Sequence, residues 1–254
     1  MPRRNDGTKL KKGRLDTALV DRGFFPSREQ AQRAIMAGEV RVGEAVVDKA
    51  SAKIESDAAI TIERSPAYVG RGGLKLEGAL RHFAIAVAGI TALDIGASTG
   101  GFTDCLLQQG AKKVYAIDVG HGQLAWKIRS DPRVIVREKL NARFLTSADV
   151  PEPVDLCVID VSFISLTLIL PNAFESVTPN GMILALIKPQ FELEASDVGR
   201  GGIVRDPALH AKAQEKIRQF VLNAGHEIVD IVPSEITGTD GNQEFFICVR
   251  RQSA

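Results

Sequence analysis

Residues 93–103 read LDIGASTGGFT. An apolar segment, TALDIG, runs into glycines 96, 100 and 101, and the amphipathic run TDCLLQQG follows. The pattern predicts a strand, a tight turn and a helix. Glycines let the turn bend sharply and let the backbone approach a ligand closely. Their spacing is G-x-x-x-G-G, which differs from the G-x-G-x-x-G of dinucleotide enzymes. Asp94, just before the turn, offers a carboxylate suited to a ligand ammonium. Asp118, 24 residues later, ends the apolar segment KVYAIDVG, where an acid accepts both hydroxyls of a ribose. A turn at the ends of the first strands of a doubly wound sheet lies at the topological switch point, where such sheets bind ligands. Loop and acids together fit S-adenosylmethionine better than NAD. A βα turn with a purely structural role is the alternative.

Outward from this stretch the chain alternates helix and strand. The helix LKLEGALRHFAI precedes it, and the strands RVIVREKL, VDLCVID and GMILALIK follow KVYAIDVG. Continuous apolar strands separated by helices imply a mostly parallel sheet covered on both faces. The end departs from this pattern. A long helix around ALHAKAQEKIRQFVLNAG leads to HEIVDIVPSE and EFFICVRR, which read as an antiparallel pair at the sheet edge. The fold class is therefore α/β, doubly wound, with an antiparallel last strand and a small α+β unit N-terminal to it.

That unit spans 14–63. GRLDTALVDRG sets Leu15, Ala18 and Leu19 on one helical face and stops at Gly23. PSREQAQRAIMAG carries Ser27 and Gln30 in a capping box and ends at Gly38. EVRVGEAVV alternates around Gly43-Glu44 as a tight hairpin, and AITIE adds a short strand. Residues 1–13 form a basic tail, 64–72 a Gly-rich linker, and 73–254 the larger domain.

Hydrophobic residues at 44% and charged residues at 25% allow a substantial core. Net charge is +1, but residues 1–64 hold 13 Lys/Arg against 10 Asp/Glu, leaving the remainder slightly acidic. The basic start reads either as a solvated terminus or as a nucleic-acid arm, and composition alone favours the former. Three scattered cysteines, Cys105, Cys157 and Cys248, form no metal-ligand pattern and point to a reducing compartment. No apolar segment follows the basic start, and no apolar run nears the roughly 18–20 residues of a membrane span. A cytoplasmic protein with no membrane association and no evident obligate protein partner is expected.

Parallel-sheet geometry gathers strand ends around one crevice. Asp160 ends VDLCVID and Lys188 ends GMILALIK, where Pro189 stops the strand. Glu244 begins the last strand, which enters from the opposite direction, and Lys75 lies in the helix ahead of the first strand. Two lysines and two carboxylates can meet there. Two ordinary surface ion pairs are the bland alternative.

The motifs GRGGLKL, LDIGASTGGFTDCLLQ, DVSFIS, IKPQFE and GNQEFF, in this order, resemble the TlyA family, also called hemolysin A. Residues 19–51 are similar to the S4 RNA-binding pattern, followed by an FtsJ-like methyltransferase domain with a Rossmann-like fold. The resemblance covers about Gly13 to Arg251. It implies a Lys-Asp-Lys-Glu tetrad for ribose 2′-O-methylation at Lys75, Asp160, Lys188 and Glu244. It sets the methionine end of S-adenosylmethionine against Asp94 and the loop Gly96, Ala97, Ser98, Gly100, Gly101 and Phe102. The ribose falls on Asp118 and Val119, and adenine between Leu140 and Asn141.

The implied partner is ribosomal RNA or a ribosomal subunit, with cytidine as target. RNA contacts are expected from Lys11, Lys12, Arg14, Arg28, Gln32, Arg33 and Arg41 in the S4-like part. Arg71 in the linker and Arg200 and Arg205 in the VGRGGIVRDP loop are expected to add to them. A membrane-active hemolysin and a catalytically silent RNA-binding assembly factor are the competing readings.

Overall fold

The computed structural model describes residues 12–253 apart from 37, 63–66, 200 and 239–240. The expected RNA contacts Lys11 and Arg200 lie outside the described residues. The chain divides into two compact units, Met1–Pro66 and Ala67–Ala254.

In the first unit β1 (Lys12–Arg14) leads into α1 (Leu15–Asp21) and α2 (Arg28–Met36). Four short strands follow: β2 (Val40–Val42), β3 (Ala45–Val46), β4 (Lys53–Glu55) and β5 (Ile60–Ile62). Strand β2 lies between β3 and β5, antiparallel to both, and β1 pairs antiparallel with β4. The β1–β4 pair has no forerunner in the sequence pattern, because the exposed KGR segment carries no apolar alternation. Leu15, Leu19, Ala31, Ile35 and Val40 make the core. Ser27 Oγ accepts from Gln30 N at 3.3 Å, capping α2.

The second unit begins with α3 (Gly72–His82), β6 (Thr91–Ile95), α4 (Gly101–Gln108) and β7 (Lys113–Ile117). It continues through α5 (Trp126–Arg129), β8 (Val134–Arg137), β9 (Val154–Ile159) and α6 (Leu170–Ser176). Strand β10 (Val177–Ile187), α7 (Pro189–Glu192), α8 (Pro207–Asn223), β11 (Glu227–Pro233) and β12 (Phe245–Arg250) complete it. The sheet order is β11-β12-β10-β9-β6-β7-β8. Only β12 runs against its neighbours. It slots between β10 and β11, so β11 forms this edge of the sheet and β8 the other.

Side chains alternate across the sheet with period two. Ile183, Ala185 and Ile187 of β10 join Phe174, Ile217 and Val221 under α6 and α8. Leu184 and Leu186 face the other way, with Leu76, Leu106 and Ile128 under α3, α4 and α5. Burial on both faces explains why these strands read as unbroken apolar runs. The chain proceeds β6, β7, β8 toward one edge and then returns to place β9 on the other side of β6. The crevice between the ends of β6 and β9 is the switch point.

Candidate active site

The loop after β6 takes left-handed backbone at Gly96 (φ 90°), Ser98 (φ 49°) and Gly100 (φ 97°). A Cβ on Gly96 would overlap the Asp160 carbonyl oxygen, so only glycine lets this loop lie against the end of β9. The starts of α3 and α4 also touch through glycine. A Cβ on Gly101 would stand 3.0 Å from Gly73 N, and one on Gly73 would run into the Tyr68 ring. The GRGG and TGGF stretches are thus two faces of one backbone contact, and that contact brings the first turn of α3 to the loop.

Two cavities open on this loop. One, of about 520 Å³, is lined by Gly96, Ser98, Asp118, Val119, Leu140 and Asn141 among others. The second, of about 390 Å³, is lined by Arg71, Lys75, Ala97, Gly101, Phe102, Asp160, Lys188 and Glu244 among others. Gly96, Ser98, Asp160, Ser162 and Phe163 border both. These sizes suit a small cofactor and one end of a substrate.

Asp118 is held by backbone: Ser98 N donates to one oxygen at 2.8 Å and Gly120 N to the other at 2.6 Å. Asp118 lines the larger cavity with acceptor capacity to spare. Asn141 also borders that cavity, while its side-chain oxygen accepts from Arg143 N at 3.0 Å and starts a helical turn. Asp94 lines neither cavity and lies fully buried behind the loop. One Asp94 oxygen accepts from Thr103 Oγ1 at 2.6 Å, and the other has no partner. Burial pushes its pKa up to about 7; the Thr103 bond opposes this, and the nearby charges of Asp160 and Asp118 add to it. A left-handed glycine loop, a ribose-ready acid and an unpartnered buried carboxylate oxygen fit a cationic nucleoside cofactor such as S-adenosylmethionine.

The four tetrad residues all reach the smaller cavity. Lys75, in the first turn of α3, places Nζ 2.5 Å from Glu244 Oε2; the two residues are only 8% and 3% exposed. Lys188, between β10 and α7, places Nζ 2.6 Å from Asp160 Oδ1. That contact is close in distance but poorly aligned, and the directed hydrogen bond of Lys188 goes to Ser162 Oγ at 3.0 Å. These are buried and half-buried pairs at one cavity, not surface ion pairs. Pro189 opens α7 as its first residue, so it starts a helical turn as well as ending the strand.

Phe163 was not singled out by the sequence pattern. It borders both cavities, is 91% exposed, and holds φ at +63°, a strained value for an aromatic residue. Its ring centroid lies 5.0 Å from that of Phe191. The available signal was an aromatic residue in a polar segment directly after a strand end, DVSFIS.

In the first unit, Arg14, Arg28 and Gln32 all turn inward to Asp16, which is fully buried. Arg14 Nη2 and Arg28 Nη2 each lie 2.9 Å from Asp16 Oδ2, and Gln32 Nε2 lies 2.8 Å from it. The two guanidinium side chains remain about half exposed. Arg33 pairs with Glu29, Lys12 with Glu55, and Arg41 donates to the Glu44 carbonyl at 2.9 Å. In the second unit Arg71 donates to the Thr237 carbonyl at 3.1 Å from the cavity wall, and Arg205 is exposed.

The FtsJ-like methyltransferase family model matches residues 68–251, and the S4 domain model matches residues 13–60. The Bacillus subtilis protein "Putative rRNA methyltransferase YqxC" is 49% identical over 239 residues, covering 93% of this chain and 85% of that protein. The 16S/23S rRNA (cytidine-2′-O)-methyltransferase TlyA of Mycobacterium tuberculosis is 44% identical over 245 residues, covering 96% and 91%. A solved structure from Streptococcus thermophilus, "Putative hemolysin", is 41% identical with a TM-score of 0.73, covering 96% of this chain and 90% of that one. The chain belongs to the FtsJ-like methyltransferase family, in the group that carries an S4 domain and includes TlyA.

Proposed function

We propose that this chain transfers a methyl group from S-adenosylmethionine to the 2′-hydroxyl of a cytidine ribose in ribosomal RNA, with the S4 unit docking the RNA. The observation that carries this reading is the convergence of Lys75, Asp160, Lys188 and Glu244 on one cavity that shares a wall with the glycine loop. S-adenosylmethionine, when bound, supplies a methyl group already activated by a positive sulfonium. The chain must then align a ribose hydroxyl and deal with its proton.

Lys188 meets the charge that this leaves on the oxygen, and the proton itself passes to solvent through the open cavity. Its Nζ is held between Asp160 and Ser162, where an ammonium stabilises the negative charge that develops on the attacking oxygen. Lys75 and Glu244 hold the opposite wall as a buried pair. Asp160 sits at the mouth shared by both cavities, where a carboxylate also favours a sulfonium. Phe163 offers a ring face at the same mouth, on which a base taken out of its stack can rest. Basic side chains of the first unit contact phosphate and fix position more than they read sequence. An RNA substrate of this kind puts the site of action in the cytoplasm.

The test is transfer of labelled methyl groups to purified ribosomal subunits, followed by mass-spectrometric mapping of the modified nucleotide. Methylation of a base atom, or no transfer at all, would overturn the reading. The hemolysin name of relatives is tested beside it by liposome leakage; among the described residues no helix is long and apolar enough to cross a membrane.

A further inference from the structure

One buried acid near the cavity has no part in the chemistry above. Glu192 ends α7, four residues after Lys188, and is 5% exposed. One of its carboxylate oxygens accepts from Leu166 N at 2.7 Å. The other accepts from Ser165 Oγ at 2.5 Å and lies 3.1 Å from Lys216 Nζ of α8. Lys216 Nζ also donates to the Glu192 carbonyl at 2.7 Å. Ser165 in turn accepts from Thr167 N at 3.3 Å, starting the helical turn Leu166–Leu168.

These bonds join two segments that each carry part of the site. Residues 160–166 bring Asp160, Ser162 and Phe163; residues 188–192 bring Lys188 and Phe191. Their reactive groups meet only where the segments face each other, in the Lys188–Asp160 contact, the Lys188–Ser162 bond and the Phe163–Phe191 contact. Phe163 lies among these contacts with a strained φ of +63°, which persists only when its surroundings over-determine it. A carboxylate has the four lone-pair positions needed to accept from a hydroxyl, a backbone N–H and an ammonium together, and a neutral amide does not.

We propose that Glu192 is a positioning residue for the methyl-transfer site: it fastens the Asp160–Phe163 loop to the Lys188 turn and so sets the geometry of Lys188. This inference rests on the methyltransferase reading. A loosened Lys188 would lower turnover more than it weakens cofactor binding: the fastened loop lines both cavities, but Ser165 and Leu166, the residues that bond to Glu192, line neither. Displacement of a positioned group by about 1 Å costs on the order of 10²-fold in rate.

The experiment compares wild type, Glu192→Ala and Glu192→Gln for kcat and KM on ribosomal subunits. The same proteins are measured for S-adenosylmethionine affinity by calorimetry and for hydrogen exchange across residues 161–168. The expected result is a kcat lowered about 10- to 100-fold in Glu192→Ala, with a much smaller change in cofactor affinity and faster exchange confined to 161–168. Glu192→Gln, which keeps the acceptor for Leu166 N, should recover part of the rate. Unchanged kcat in Glu192→Ala overturns the proposal. So does a loss of rate matched by an equal loss of cofactor affinity, which marks a merely structural residue. If wild type itself moves no methyl group, the enzymatic reading fails. The exchange data then judge Glu192 alone, and unchanged exchange at 161–168 overturns its fastening role.

Discussion

Lys75 Nζ sits 2.5 Å from Glu244 Oε2, joining the first turn of α3 to the start of β12 across 169 positions of sequence. Both partners are nearly fully buried, so removing one leaves a charge in a low-dielectric wall with nothing to neutralise it. Glu244→Ala should therefore destabilise the second unit by about 3–5 kcal/mol. The double change Lys75→Met with Glu244→Leu should recover most of that loss while remaining inactive. Thermal unfolding with an activity assay on the same samples checks both halves. A Glu244→Ala protein as stable as wild type would show that water reaches the pair in solution.

Lys188→Ala should lower methyl transfer by roughly 10²- to 10³-fold, the range for losing one donor that stabilises developing oxyanion charge. Cofactor affinity should be unchanged, because Lys188 borders only the smaller cavity. Single-turnover kinetics beside calorimetry separate the two. An active, folded Lys188→Ala protein would remove the central residue from the proposed mechanism.

Phe163→Ala should raise KM for RNA with a smaller effect on cofactor affinity. Stacking of one base on an aromatic ring is worth about 1–3 kcal/mol. Phe163→Trp keeps a ring face and should stay near wild type, whereas Phe163→Leu should resemble Ala. Equal KM values for all four proteins would show that the exposed ring meets no base.

Much of this site was legible because parallel sheets impose strong rules. Once KVYAIDVG, VDLCVID and GMILALIK read as strands, their ends had to meet, and Asp118, Asp160 and Lys188 came with them. The place of β12 was half legible: its direction followed from the short path after β11, but its slot beside β10 is a matter of register that no local pattern carries. Asp94 shows another limit. Its position before the glycine loop was plain, yet its seat behind that loop depends on the side-chain alternation of β6 against Thr103. Asp16 and Glu192 were invisible for one reason. Each is a buried acid with most of its partners 12–27 residues away, and such an acid in a sequence looks like any solvated one.

Asp16 also gives the first unit an acid-sensitive clasp. The Arg14 guanidinium, helped by Arg28 and Gln32 and opposed by burial, holds its carboxyl well below the usual carboxylate range. A depressed folded pKa means that the stabilisation is present above the unfolded value near 4 and is lost as pH falls below it. The unit should therefore loosen on acidification, seen as faster hydrogen exchange in α1 and α2. Asp16→Asn should weaken the unit at pH 7 by roughly 1.5–3 kcal/mol, the worth of a charge-assisted bond. The variant should also flatten the acid limb; an acid limb of wild-type steepness would assign the effect to other groups.

Asp94 should act in the opposite sense in the second unit. Its folded pKa is raised to about 7 against an unfolded value near 4. The neutral form is the one the apo site prefers, so its stabilising contribution is complete below about pH 4 and is lost as pH rises through 7. Asp118 and Asp160 contribute negative charge from the neighbouring strand ends, and Thr103 from α4 holds one Asp94 oxygen. A cation bound against the glycine loop favours the ionised carboxylate instead. Binding of S-adenosylmethionine below pH 7 should then release a proton and tighten as pH rises, levelling off above about 7. Calorimetry in two buffers of different ionisation enthalpy measures that proton directly. Asp94→Asn should bind more weakly with no such release, and proton release of wild-type size in that variant would assign the titration to another group.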